Sequence, residues 1–199
     1  MAIARVKTSS ILQGFPKSRS LLAGNAGFSP DNYESISTVI VGSGGTSEIN
    51  FTSIPQDYAH LQIRLIGRVT GGATELRVKF NGDTTTSNYY WHELYGTGSA
   101  AGATNQGAGG TPLRTMYWGG LPTATSTFGA GVMDILDYAN TNKNKTLRML
   151  SGYDNNSAGY IHFDSGLWMS TSAITSITLY PPSVNLTQYS KFALYGIKD

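Results

Sequence analysis

Cysteine is absent from this 199-residue sequence, which excludes a disulfide framework and any thiolate metal site. Charge is scarce: Asp, Glu, Lys and Arg make up 13% of the chain, against roughly 25% in an average soluble domain. No apolar run approaches the ~20 residues of a membrane-spanning helix, so no membrane insertion is expected. Arg5 and Lys7 lead into Thr8-Ser9-Ser10 rather than an apolar segment, so no secretory signal is expected. No segment carries a 3.6-residue apolar period, which argues against a helical body. Stability must come from packing, within the subunit or between subunits.

What is present suits β-structure. Gly reaches 24 and Tyr 12, Ser and Thr are abundant, and 40% of the chain is hydrophobic, enough for a core. Ala59, Leu61, Ile63, Leu65, Gly67 and Val69 alternate with His60, Gln62, Arg64 and Arg68, with Ile66 the exception. Leu76, Val78 and Phe80 alternate with Glu75, Arg77 and Lys79, and Phe192 and Leu194 with Lys191, Ala193 and Tyr195. Period two marks half-buried strands. Further strands are predicted over 36–41, 46–51, 89–95, 113–118, 128–138, 145–153, 160–169 and 173–180. Turn signals at 42–45 and at Gly71-Gly72 predict two hairpins, 36–51 and 59–80, and Asn81-Gly82 marks another turn. Residues 96–112 and 119–127 are Gly/Ala/Thr-rich and read as exposed loops. The expected fold is all-β: a jelly-roll-like antiparallel β-sandwich over residues 35–199.

Residues 1–34 differ. Four of the fourteen basic residues, Arg5, Lys7, Lys17 and Arg19, fall in the first 30 positions, and none of the twelve acids does. Ile11, Leu12, Phe15, Leu21, Leu22 and Phe28 are scattered irregularly between them, and Pro16 and Pro30 interrupt any helix. Such a segment has too little apolar surface to fold alone but suits an extended attachment arm whose basic and apolar side chains anchor it in a partner's grooves. Four charges are too dilute for a nucleic-acid footprint, so no nucleic acid is expected.

The search for catalytic chemistry is mostly negative. His92-Glu93 begins the zinc-protease pattern, but Gly96 stands at the second His position. His60, His92 and His162 are isolated from one another. Asp154 to Gly159 starts like a calcium loop but has Ala158 at the fifth position, and reads as an Asn-rich turn. Asp134 with Asp137, or Asp164 with Glu93, are candidates for a glycosidase carboxylate pair, with solvated or turn-capping Asp the plainer reading. No enzyme activity, cofactor or metal is expected. Tyr90, Trp91, Tyr95, Tyr117 and Trp118 flank the first Gly-rich stretch and are candidate ligand-binding residues, since flat aromatics stack on sugars; core or interface packing is the plainer role. Arg64, Arg68, Arg77 and Lys79 are predicted to share the polar face of the 59–80 hairpin.

Four phrases occur together: FTSIPQDYAHLQIRLIGR at 51–68, LRVKFNGD at 76–83, GLWMSTSAITSITLYP at 166–181 and YSKFALYGIKD at 189–199. Through them the chain resembles a family of tailed-bacteriophage virion structural proteins found in marine and cyanobacterial phages. The opening SSILQGFPKSRSLLAGNAGFSP resembles an attachment sequence of some virion proteins. The resemblance covers roughly residues 36–199 and contains no catalytic residue to carry over. It implies a jelly-roll-like sandwich, a homotrimer, assembly in the bacterial host cytoplasm, and a place on the virion beside other capsid, tail or baseplate proteins. The role it implies is either capsid decoration or a tail-fibre module; the alternative is a fibre tip that binds a host receptor or surface glycan.

Overall fold

The computed structural model describes residues 32–71, 74–106, 113–118, 126–155 and 158–198. The arm residues Arg5, Lys7, Ile11, Leu12, Phe15, Lys17, Arg19, Leu21, Leu22 and Phe28 lie outside the described residues, as does most of 119–127. Twelve strands are described: β1 (Tyr33–Ile40), β2 (Ile49–Phe51), β3 (His60–Gly67), β4 (Thr74–Phe80), β5 (Tyr89–Gly96), β6 (Ala101–Gln106), β7 (Leu113–Trp118), β8 (Gly129–Leu136), β9 (Lys145–Asp154), β10 (Gly159–Trp168), β11 (Ile177–Tyr180) and β12 (Lys191–Ile197).

They form an eight-stranded sheet, β1-β12-β3-β8-β9-β10-β5-β6, and a four-stranded sheet, β2-β11-β4-β7. Every pairing is antiparallel. The strands β1, β2, β3 and β4 pair in turn with β12, β11, β8 and β7, and successive pairs fall in alternate sheets. An antiparallel ribbon wrapped in this way is a jelly roll. Two hairpins widen the first sheet beyond four strands: β5–β6 between β4 and β7, and β9–β10 between β8 and β11. They meet where β10 pairs with β5.

The period-two runs supply the core. Leu61 and Ile63 of β3, Leu76, Val78 and Phe80 of β4, and Phe192 and Leu194 of β12 are fully buried. Met133, Ile135, Leu147, Met149, Ile177 and Leu179 complete the layer between the sheets. Each such side chain contributes ~1.5–3 kcal/mol by leaving water.

Three sequence expectations are corrected. Residues 36–51 and 59–80 are not hairpins: β1 and β2 lie in different sheets, as do β3 and β4. Each connection is a corner that carries the chain across the sandwich. At the first corner Gly45 has φ +68°, and a Cβ there would sit 2.7 Å from the Leu186 carbonyl oxygen, so the bridge of Thr46 to Leu186 depends on that glycine. In consequence Arg64 lies on the eight-stranded sheet, whereas Arg77 and Lys79 lie on the four-stranded one; they share no face. The third correction is β6, a strand inside the stretch read as a loop. Its small side chains contribute little, and it is held by backbone pairing to β5 at the sheet margin.

Candidate functional site

The outer face of the widened sheet is the most unusual surface among the described residues. Register aligns Val132, Leu150, Phe163, Leu94 and Ala103 in one row across β8, β9, β10, β5 and β6. The adjacent row contains Ile66, Ala130, Gly152, Ile161, Gly96 and Ala101. Leu94, Ile161, Leu150, Phe163, Ile66 and Val132 are 60%, 59%, 54%, 48%, 45% and 38% exposed. Isolated exposed apolar residues are ordinary, but a contiguous two-row stripe is not.

The stripe has a polar border. Arg148 donates from Nε to Asp134 at 3.1 Å, Gln62 donates its amide to the other Asp134 oxygen at 2.8 Å, and Arg64 Nε donates to the Gln62 carbonyl oxygen at 3.0 Å. This chain crosses β9, β8 and β3 along one side. Ser165, His92 and Asn105 continue the row across β10, β5 and β6.

The inner face of the same strands is inverted in character. Glu93, His162, Asp164 and Ser151 are only 2–4% exposed. His162 Nδ1 is hydrogen-bonded to Glu93 Oε1, Asp164 is the register partner of Glu93, and Ser151 is that of His162. β7 packs against β9, β10 and β5. The strand Tyr160-Ile161-His162-Phe163-Asp164 therefore turns its ionisable residues inward and its large apolar ones outward. Burying ionisable groups is costly unless they are hydrogen-bonded, and the buried His162–Glu93 pair lies directly behind an uncovered apolar face. Glu93 and Asp164, a candidate carboxylate pair, are register partners, but both are buried rather than set in an open cleft. Asp134 and Asp137 are engaged separately, Asp134 as above and Asp137 by Lys143 and the His60 ring.

The aromatic cluster is divided by strand alternation. Trp91 is in the core at 6% exposure. Tyr95, on the same face of β5, is half-buried with its ring centroid 6.3 Å from that of His162. Tyr90 is half-buried on the opposite face. The backbones of Tyr117 and Trp118 pair with Glu75 and Thr74; their side chains lie outside the described structure. A different aromatic set borders an open groove of about 530 Å³ at the sheet end, lined by Thr97, Tyr153, Asp154, Tyr160 and Ile161 among others. The Tyr153 and Tyr160 rings are 5.6 Å apart, and Tyr160 stacks on His162 at 5.6 Å. Beside it the Asn155 side chain accepts the Ala158 N–H, three residues on, at 2.7 Å. Sequence reading missed both the stripe and this groove. The available signal was the apolar Leu94, Leu150, Ile161 and Phe163 next to, rather than in phase with, the core positions.

No family model, curated protein or solved structure matches this chain.

Proposed function

We propose that this chain is a non-enzymatic structural protein of a tailed-bacteriophage particle. Its N-terminal arm attaches it to other virion proteins, and its body is displayed as capsid decoration or as a tail-fibre module. A jelly roll alone hosts many functions. The observation that carries the reading is that the arm's sequence leads directly into β1 (Tyr33–Ile40), which is an edge strand of the eight-stranded sheet. A basic, apolar-studded segment entering at a margin is suited to reach a neighbour without disturbing the core. The resemblance of residues 36–199 to virion proteins supplies the context.

Deleting residues 1–30 and measuring cosedimentation with purified particles tests this. Loss of particle binding by a folded body is expected; undiminished binding refutes the arm's role. A second reading, recognition of a host glycan, is favoured by the groove beside Tyr153 and Tyr160. It is distinguished on a glycan array: saturable binding that disappears on Tyr160→Ala would support a fibre-tip role.

A further inference from the structure

We propose that the apolar stripe on the outer face of the eight-stranded sheet is where a second copy of this chain packs, sheet against sheet. The inference is independent of any place on a virion.

Size is the first argument. Leu94, Leu150, Ile161, Phe163, Val132 and Ile66, each 38–60% exposed, present side-chain area on the order of 500 Å², at the upper end for the largest apolar patch of a monomer. The first row runs from β8 to β6, four strand spacings or about 19 Å. With its border the face approaches the ~800 Å² per partner of a standard interface, apolar at the centre and polar at the rim.

Shape is the second. The stripe is broad and lies on a sheet face, where every strand it crosses except the edge strand β6 already has both lateral backbone partners. An extended segment such as the arm, laid on that face, would cover it only in part and find no partners there for its own N–H and C=O groups. A second sheet arrives with its backbone paired and needs only side-chain contact across ~10 Å.

Charge is the third. The rim's charges are already engaged within the chain, Arg148 on Asp134 and Arg64 through Gln62, so a second copy meets a rim of low net charge without strong like-charge repulsion. The arm has four cations and no acid in its first 30 residues, which gives it no comparable match.

The test uses the full-length chain in sedimentation velocity at micromolar concentration. A closed oligomer is expected. The double variant Leu94→Asp, Phe163→Asp should weaken association by on the order of tenfold or more, with its circular dichroism and thermal melt still those of a folded sandwich. A full-length variant with Phe15→Ser, Leu21→Ser, Leu22→Ser and Phe28→Ser should remain oligomeric. Because the chain has no cysteine, single Leu150→Cys and Phe163→Cys variants provide a check that does not rely on disruption: a bismaleimide linker spanning about 10 Å, the separation of facing sheets, should join them into covalent dimers. The proposal is overturned by a monomeric wild type, by an oligomer that survives Leu94→Asp, Phe163→Asp, or by dissociation when the arm alone is changed.

Discussion

Asp83 should be the most informative single position for stability. On Oδ2 it accepts the Trp168 indole N–H at 2.7 Å and the Asn88 amide at 2.8 Å, and on Oδ1 the Thr85 backbone N–H at 2.8 Å. Its carbonyl accepts the Tyr89 hydroxyl at 3.0 Å, whose oxygen in turn accepts the Phe80 N–H at 3.3 Å. One short turn thus fixes two buried aromatics, with Trp168 packed on Phe80 at 5.5 Å. Desolvation pushes the carboxyl pKa up, but the hydrogen bonds from Asn88, Trp168 and Thr85 outweigh it and bring it down to about 2 from 3.8. Asp83→Asn keeps the shape but removes the charge and points an NH2 at donors. The expected loss is ~2–3 kcal/mol near neutral pH. The folded pKa lies below the unfolded one, so the ionic contribution is fully present above about pH 3.8 and is lost as pH falls through about 2. The shift corresponds to ~2 kcal/mol, and partial exposure trims this to ~1–2 kcal/mol. Urea unfolding followed by tryptophan fluorescence, for wild type and variant in parallel at stepped pH, measures both quantities. The gap should narrow by ~1–2 kcal/mol on acidification, because asparagine does not titrate. A gap that stays constant down to pH 2, or one below ~1 kcal/mol at neutral pH, would refute the assignment.

Two other positions give independent checks. Lys145 is 1% exposed, and its ammonium donates to the carbonyls of Asn140, Lys143 and Thr171 at 2.6, 2.8 and 3.1 Å; Lys145→Met leaves three acceptors without that donor and should cost ~3 kcal/mol in urea unfolding, and a loss under ~1 kcal/mol would mean those carbonyls are well served otherwise. A Cβ at Gly196 would clash with the Tyr58 ring, which is held by its hydroxyl's bond to Glu34 at 2.9 Å, so Gly196→Ala should lower stability by ~1–3 kcal/mol, and Tyr58→Ala in the same chain should recover part of that loss.

The sandwich was legible where alternation and burial agree. Leu61-Ile63-Leu65 and Leu76-Val78-Phe80 place apolar groups two apart, with polar groups between, and both runs are strands with that face inward. Partner choice was not legible. A Gly-rich link of a few residues reads the same whether the chain reverses within a sheet or turns a corner to the other sheet, and the link at 42–45 does the second. β6 was hidden because Ala101, Gly102, Ala103 and Thr104 have no bulk to reveal a phase. Of the two roles open to Trp91 in sequence, core packing is the one the fold gives it, because its face of β5 is shared with Tyr89, which is fully buried two residues earlier.

The candidate site was illegible for a deeper reason. On β10 the alternation is clear in sequence, but period two does not say which of two phases faces the core. Hydrophobicity alone assigns Ile161 and Phe163 inward and His162 and Asp164 outward; the fold does the reverse. The flanking positions force this phase. Gly166 and Trp168 are buried four and six residues beyond His162, and a Cβ at Gly166 would touch Leu113 and Leu147 at 3.0 Å, so the strand cannot slip by one without driving Leu167 into that contact. An isolated subunit therefore carries a double burden along β10: ionisable groups withdrawn from water on one face, and large apolar groups left in water on the other. Conflict between local pattern and global fold is expected at functional surfaces, where stability is given up for another requirement. Covering Leu94, Leu150, Ile161 and Phe163 removes the outer half of that burden, so assembly and folding of this sheet are linked, and the subunit should gain stability as its concentration rises.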